Sequence, residues 1–453
     1  MIQAKHLPEL AEKALQVQGE RRTFWMMGEF VTNVQIADRA RRFKRALEEH
    51  GIGKGDVACM CIVNNPYVYS IFGGIFRTGA TAAPVMFQLS AKELNYIFGH
   101  TEAKCIITDS LLIDKVREAV KDLPHVEWIG VLGGQDNETA TPREYRLDSF
   151  FERDPDPAIP AIESDDVAIM LYTSGTTGRP KGVMLSHANL LASAKAGYLA
   201  SEFHAREHPI VSINALPMAH IFGVGVMNSG YLANPEFTPG YAVQEIWFDP
   251  DRFMKLIDEH KVTDVAGVPT MLAMLLNHPT CEQYDLRSLK VASIGAAPLS
   301  VDLARQFSER TGCRIRQIYG MTENTGIGAG DRISRPYRPG STGPAYDDMQ
   351  LRVVDDNGND MPPGQSGEIV TRGPSTMKGY FKQAEETAKT IRGGWLHTGD
   401  IGYLDADGYL FVVDRKKDMI IKGGENIFPA EIENALYEHP DVAEAAAVGA
   451  PDA

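Results

Sequence analysis

Through residues 36–319, short apolar runs alternate with segments of helical spacing. That alternation restricts the chain to an α/β fold built on parallel sheets. Residues 36–50 set apolar side chains among Arg, Lys and Glu at helical intervals and stop at Gly51. Strands are expected at 56–63, 81–85 and 105–108, with helices at 66–79 and 91–99. A second series follows, with strands at 211–215, 262–267, 291–295 and 314–319 and helices at 251–260 and 299–311. In such sheets ligands collect at the carboxyl ends of the strands. Here those ends carry His220, Gly295, Ala296, Ala297 and residues 319–323.

A Pro- and Asp-rich stretch, 152–166, separates the two series and predicts units at 1–160 and 161–340. From 341 to 413 short strands and turns such as Asp356-Asn357-Gly358 predict an antiparallel β unit. The charge cluster 414–418 reads as a linker, and in 419–453 a helix is expected to start at 429. The expected fold is therefore two large α/β subdomains, a β-rich subdomain and the truncated start of a small C-terminal domain.

The chemistry concentrates at 171–182. An apolar run, 167–172, enters a loop of Thr173, Ser174, Gly175, Thr176, Thr177 and Gly178, followed by Arg179 and Lys181, and a helix is expected from about Ser186. Hydroxyls and backbone N–H groups can face a polyphosphate, the glycines permit close approach, and the cations offset phosphate charge. The loop is read as a strand-to-helix phosphate cradle. It is no Walker A loop, since no Gly-Lys-Ser/Thr follows. Gln317-Ile-Tyr-Gly-Met-Thr-Glu323 adds Tyr319 to stack on a purine, Thr322 to bond a phosphate, and Glu323 to hold Mg²⁺ through carboxylate oxygens. Trp395-Leu-His-Thr-Gly-Asp400 leaves an acid at a strand end that can bond ribose hydroxyls.

Charge limits the partners. Sixty acidic against 45 basic residues give a net charge of -15, which argues against broad nucleic-acid or anionic-membrane binding. Five scattered cysteines fit a reduced compartment, and Cys59 and Cys61 fit alternate strand positions better than half a metal site. No stretch forms a membrane span: Arg77 and several glycines interrupt 69–87. The reading is cytoplasmic, with small-molecule partners and a homodimer left open.

Taken together and in this order, these stretches resemble the adenylate-forming, AMP-binding superfamily. Leu216-Pro-Met-Ala-His220, Gly295-Ala-Ala-Pro298, Asp414-Arg-Lys-Lys-Asp418 and Gly423-Gly-Glu-Asn-Ile-Phe-Pro-Ala-Glu431 add to the match, which is best to fatty acyl-CoA ligases. The resemblance implies an ATP-dependent carboxylate–CoA ligase with ATP, Mg²⁺ and CoA: the acid forms acyl-AMP, and the CoA thiol displaces AMP. It implies that Thr173 to Lys181 cradle the β- and γ-phosphates, and that Gly295, Ala296 and Ala297 line the adenine slot with Tyr319 and Gly320. It assigns Thr322 to the α-phosphate, Glu323 to Mg²⁺, and Asp400 and Arg415 to the ribose. His220 would sit beside the carboxylate, Lys417 at the hinge and Gly424 where the pantetheine arm passes. The family's catalytic lysine lies beyond residue 453, so the chain as given is expected to be impaired in adenylation. Residues 221–234 contain no acid to hold an ammonium, and Gly223, Gly225 and Gly230 are expected to leave space. An apolar medium- to long-chain fatty acid is the expected substrate. An aryl acid, or transfer to a carrier-protein phosphopantetheine, is the alternative, and an inactive binding protein is a third.

Overall fold

The computed structural model of the chain describes residues 1–133, 141–173, 179–202, 206, 209–229, 240–418, 420–422, 425–427, 429, 432, 436, 442 and 446–449. Two eight-stranded sheets and one five-stranded sheet form the frame. The first sheet is built on the parallel strands Val57–Cys61, Thr81–Pro84, Cys105–Asp109 and Trp128–Leu132. Every residue of Val57–Cys61 and Cys105–Asp109 is buried, as a sheet covered on both faces requires. Cys59 and Cys61 lie there as free thiols, and burial pushes both up to about 12, so they act as apolar packing. Helices Asn33–Glu49 and Val68–Thr78 approach closely because Gly74 has no Cβ. One built there would stand 2.7 Å from Phe43 Cδ1.

Two features of this sheet differ from the sequence expectation. The phosphate loop does not run from strand to helix. Val167–Thr173 and Lys181–Ser186 form an antiparallel hairpin, with Thr173 opposite Lys181, and the helix His187–Ala200 begins only afterwards. Val183 and Leu185 are fully buried, and their burial holds the return strand in the sheet. Ser186 caps the helix, its hydroxyl accepting from the Asn189 amide. The hairpin also joins the first sheet, since Ile169 pairs with Ala82 in parallel. Conversely, Arg22–Met26 leaves the first unit to pair with Tyr241–Gln244 in the second sheet. The expected boundary at 160/161 therefore does not divide the sheets.

The second sheet carries the parallel strands Val211–Asn214, Tyr241–Gln244, Asp264–Gly267, Val291–Ile294 and Arg314–Tyr319. Its two faces differ. Ile213, Val243, Val265, Ala292, Ile294 and Ile315 bury one face against Phe253, Ile257, Leu272 and Phe307. The alternate positions of the same strands carry Ser212, Ala242, Ala266 and Ser293. These side chains are too small to meet the helices His187–Ala200 and Ile221–Ser229 across them, and a cavity of about 310 Å³ remains.

Residues from 341 onward form the expected antiparallel sheet, with Gln350–Val354, Gly367–Arg372, Trp395–Leu404, Ile391–Arg392 and Leu410–Arg415. One short strand, Gly379–Tyr380, departs from it and pairs with the edge of Lys181–Ser186. That excursion carries Tyr380 into the site described below. A small hairpin, Ile420–Lys422 with Glu425–Ile427, follows the 415–418 turn. Most of the expected helix after 429 lies outside the described residues. No described helix is long and apolar enough to cross a membrane.

Candidate active site

Three sheets converge where the sequence placed its unusual residues. From the first sheet comes Lys181, buried at the start of the return strand of the hairpin. Its Nζ lies 2.7 Å from Glu386 Oε2 and 4.9 Å from the centre of the Tyr380 ring. From the second sheet, the strand Arg314–Tyr319 leads through Gly320 into the 3₁₀ turn Thr322–Asn324, all three residues of which are buried. Tyr380 Oη donates to Glu323 Oε1 at 2.9 Å, so Lys181, Tyr380 and Glu323 form one connected group. From the third sheet comes Asp400, buried and in register with Arg415. Asp400 Oδ2 accepts from Tyr319 Oη at 2.7 Å, and its Oδ1 lies 2.8 Å from Arg415 Nε.

Burial and charge oppose each other in this cluster. Burial raises the Glu323 carboxyl above the ordinary carboxylate range, while the Tyr380 hydroxyl and the Arg415 and Lys181 charges pull it back. Burial likewise raises Asp400, against the pull of Arg415 and the Tyr319 hydroxyl. Lys181 and then Lys389 hold Glu386 down to about 2. Two buried carboxyls that burial keeps from easy ionisation, beside Lys181 and Arg415, make a site that gains from an added cation at Glu323 and an anion at Lys181. Mg²⁺ fits. Among the described residues no cluster of three metal-binding side chains occurs, and Mg²⁺ is commonly held by one or two carboxylates together with substrate phosphates. Glu323 would be that carboxylate.

Backbone shape completes the site. Ala296 holds φ +67°, a left-handed conformation rare for a residue with a Cβ, and borders the cavity. A Cβ on Gly295 would lie 2.6 Å from Ile318 Cγ1, and one on Gly320 2.3 Å from the Gly326 carbonyl. Both positions admit only glycine without displacement. Ala297 is exposed beside them. His220 also borders the cavity, just before the helix Ile221–Ser229, and its Nδ1 accepts the Phe222 amide at 3.2 Å. That bond places the ring proton of the neutral imidazole on Nε2. Desolvation by the surrounding protein lowers its pKa, although the residue is exposed by surface area, and favours the neutral ring.

Other residues fall elsewhere or outside view. Ser174, Gly175, Thr176, Thr177, Gly178, Gly230 and Gly424 lie outside the described residues. Thr173 ends the strand opposite Lys181, and Lys417 is exposed in the turn after Arg415. Arg179 packs over Tyr96 rather than with the Lys181 group. Gly223 does not leave space as expected. A Cβ there would stand 2.3 Å from the Pro217 carbonyl oxygen, so this glycine serves close packing, whereas Gly225 opens onto the cavity. Sequence reading missed Tyr380 and Glu386, which no motif marks. It also missed the polar floor of Asp264 and Arg316, although alternating small and polar residues in 264–267, 291–294 and 314–319 signal it.

Cations, a buried carboxylate and paired hydroxyls at the carboxyl ends of parallel strands, beside a mainly apolar cavity, define an enzyme that handles a nucleotide and an organic acid together. The AMP-binding enzyme family model matches residues 11–381, and the chain belongs to that family. Feruloyl-CoA synthase of Amycolatopsis sp is 34% identical over 426 residues, covering 94% of this chain and 82% of that protein. Long-chain-fatty-acid–CoA ligase of Bacillus subtilis (strain 168) is 32% identical over 450 residues, covering 94% and 79%. The crystal structure of the anthranilate CoA ligase AuaEII in complex with anthranoyl-AMP matches with a TM-score of 0.88 at 26% identity, covering 99% of this chain and 86% of that one. The protein is an AMP-forming acid–thiol ligase. It joins a carboxylic acid to CoA through an acyl-AMP intermediate and uses ATP and Mg²⁺.

Proposed function

We propose that this ligase activates a compact, largely apolar acid, bound in the 310 Å³ cavity with its carboxylate toward His220, Ala296 and Gly320. The cavity carries the reading. Its volume lies at the low end of the roughly 300–1,000 Å³ typical of small-ligand pockets, which suits a medium-length chain or a single aromatic ring better than a long alkyl chain. Asp264 and Arg316 border it with Ser212, Ser293 and Tyr346, so hydrogen-bonding groups of both kinds lie along one wall. That wall favours, as a second reading, an aryl acid bearing a hydroxyl.

In the first half-reaction a carboxylate oxygen attacks the α-phosphorus, the Pα–O bond to the β-phosphate breaks, and pyrophosphate leaves. Lys181 and the hairpin loop from Thr173 to Gly178 would hold the leaving phosphates. Thr322 would donate to the α-phosphate, and Asp400 and Arg415 would accept and donate to the ribose hydroxyls. Gly295, Ala296, Ala297, Tyr319 and Gly320 would border the base. Glu323 would hold Mg²⁺, which would supply charge neutralisation to the phosphates. Positioned donors of this kind stabilise the charge that builds on phosphoryl oxygens. In the second half-reaction the CoA sulfur attacks the acyl carbonyl, AMP departs with the bonding pair, and Gly424 would admit the pantetheine arm. Lys417 would be the pivot between the two arrangements. The test is AMP release across straight-chain, aryl and amino acids. Highest turnover on acids of about eight to twelve carbons or one ring is expected, and a preference for amino acids or for chains of sixteen or more carbons would overturn the reading.

A further inference from the structure

Tyr69 borders two cavities at once. One is the 310 Å³ cavity that contains His220, and the other is a separate 40 Å³ cavity among the helices Leu7–Gln18, Asn33–Glu49 and Val68–Thr78. The second cavity exists because small residues face one another across the three helices: Ala11, Ala37, Ala40 and Gly73. Leu15, Ile36, Phe72 and Phe76 supply much of the rest of its wall, with Asn33 and the Glu12-paired Arg77 as its polar members. Its character therefore matches an alkyl tail and not the phosphate-side cluster. Tyr69 is the lining residue the two cavities share, and it is held in place. Its hydroxyl accepts from Gln244 Nε2 at 2.8 Å, and its ring lies 5.0 Å from that of Phe24.

We propose that Tyr69 is the end wall of the acyl site and sets the longest acyl chain the enzyme accepts. This rests on the reading of the larger cavity as the acyl site. With tyrosine in place, a chain that turns from the carboxylate end toward the three helices stops at the ring. Without it, the two cavities join and the chain continues between the three helices. Each methylene that gains burial is worth about 0.8 kcal/mol, or roughly fourfold in kcat/KM.

The test compares wild type with Tyr69→Ala on homologous series of straight-chain and ω-phenyl alkanoic acids, measuring AMP release. The wild-type kcat/KM is expected to rise with length and then fall sharply. Tyr69→Ala should move that fall upward by about two to four carbons, each retained carbon adding roughly the same fourfold gain. Adding Ala37→Leu refills the second cavity and should return the limit toward that of wild type. Tyr69→Leu, which keeps an apolar contact, serves in the same way if the alanine variant does not fold. Tyr69→Trp should shorten the limit. Length profiles that run parallel in wild type and in the folded variants would overturn the proposal while leaving the acyl-site reading intact. Loss of all acid dependence from wild type itself would overturn the acyl-site reading, and this proposal with it.

Discussion

At the scale of single residues, Lys181 carries the proposed contact to the phosphates. An ammonium this buried requires a counter-charge, and Glu386 supplies one at 2.7 Å while the Tyr380 ring covers it. On the proposed assignment a polyphosphate, which offers more charge than one carboxylate, takes over that partner role. Hydrogen bonds to charged groups contribute about 1.5–3 kcal/mol. Lys181→Ala should therefore lower kcat/KM for ATP about 10- to 100-fold while leaving the dissociation constant of the acid within about threefold of wild type. Steady-state kinetics against ATP, paired with calorimetric titration of the acid, separates the two, and equal losses in both would refute the assignment. Gly320 offers a steric counterpart. The Cβ of Gly320→Ala would fall 2.3 Å from the Gly326 carbonyl, backbone that cannot rotate away. Overpacking of this kind costs about 1–3 kcal/mol. The variant should show a lower urea midpoint and a raised KM for ATP, and an unchanged midpoint would show that the 320–326 turn yields.

At the scale of elements, His187 ties stability to pH. It opens the helix His187–Ala200 and is 1% exposed, its Nδ1 facing the Leu7 amide and its ring set edge-on to Phe76. Burial pushes its pKa down from 6.5 to about 4. The unfolded chain therefore takes up this proton first, and the stability held above pH 6.5 is lost as pH falls toward 4. Between pH 7 and pH 5 this amounts to about 2 kcal/mol. His187→Asn should flatten that part of the urea-stability profile, and a variant that loses the same stability over the same range would rule out His187 as the source. The same helix shows what sequence could and could not yield. Its start was legible because Ser186 is a capping residue ahead of an apolar run. The strand just before it was not, because Lys181 and Gly182 read as loop chemistry and only Val183 and Leu185 carry the alternating signal. Most parallel strands of both sheets were legible from their apolar runs, but Trp128–Leu132 and Tyr241–Gln244 were not among the strands expected. Tyr380 was not, since its place depends on a two-residue strand crossing to the edge of another sheet. Gly223 reads in sequence like Gly225, and only the packing of Pro217 against the helix separates a contact from a gap.

At the scale of the molecule, the residues proposed to hold the nucleotide lie on three sheets and the proposed acyl cavity on one face of a single sheet. Lys181 and Tyr380 belong to the first sheet, Tyr319 and Glu323 to the second and its following turn, and Asp400 and Arg415 to the third. A nucleotide that bonds all three links them, whereas an acid in the cavity stabilises mainly the second sheet and the helices over it. A ligand at 100 times its dissociation constant adds about 2.7 kcal/mol to whatever unit it holds together. AMP should therefore raise the melting temperature of the whole cooperative transition and slow hydrogen exchange in Trp395–Leu404 as well as in Arg314–Tyr319. The acid alone should protect Asp264–Gly267 and Val291–Ile294 and leave Trp395–Leu404 unchanged. Asp400→Asn removes the charged acceptor that binds Tyr319 and Arg415 to one another, so it should abolish AMP-dependent protection of Trp395–Leu404 while preserving the acid-dependent pattern. Hydrogen exchange by mass spectrometry on both proteins with each ligand reads all of these at once. Acid-induced protection that spreads to Trp395–Leu404 in the Asp400→Asn variant would mean that the sheets couple through the cavity and not through the nucleotide.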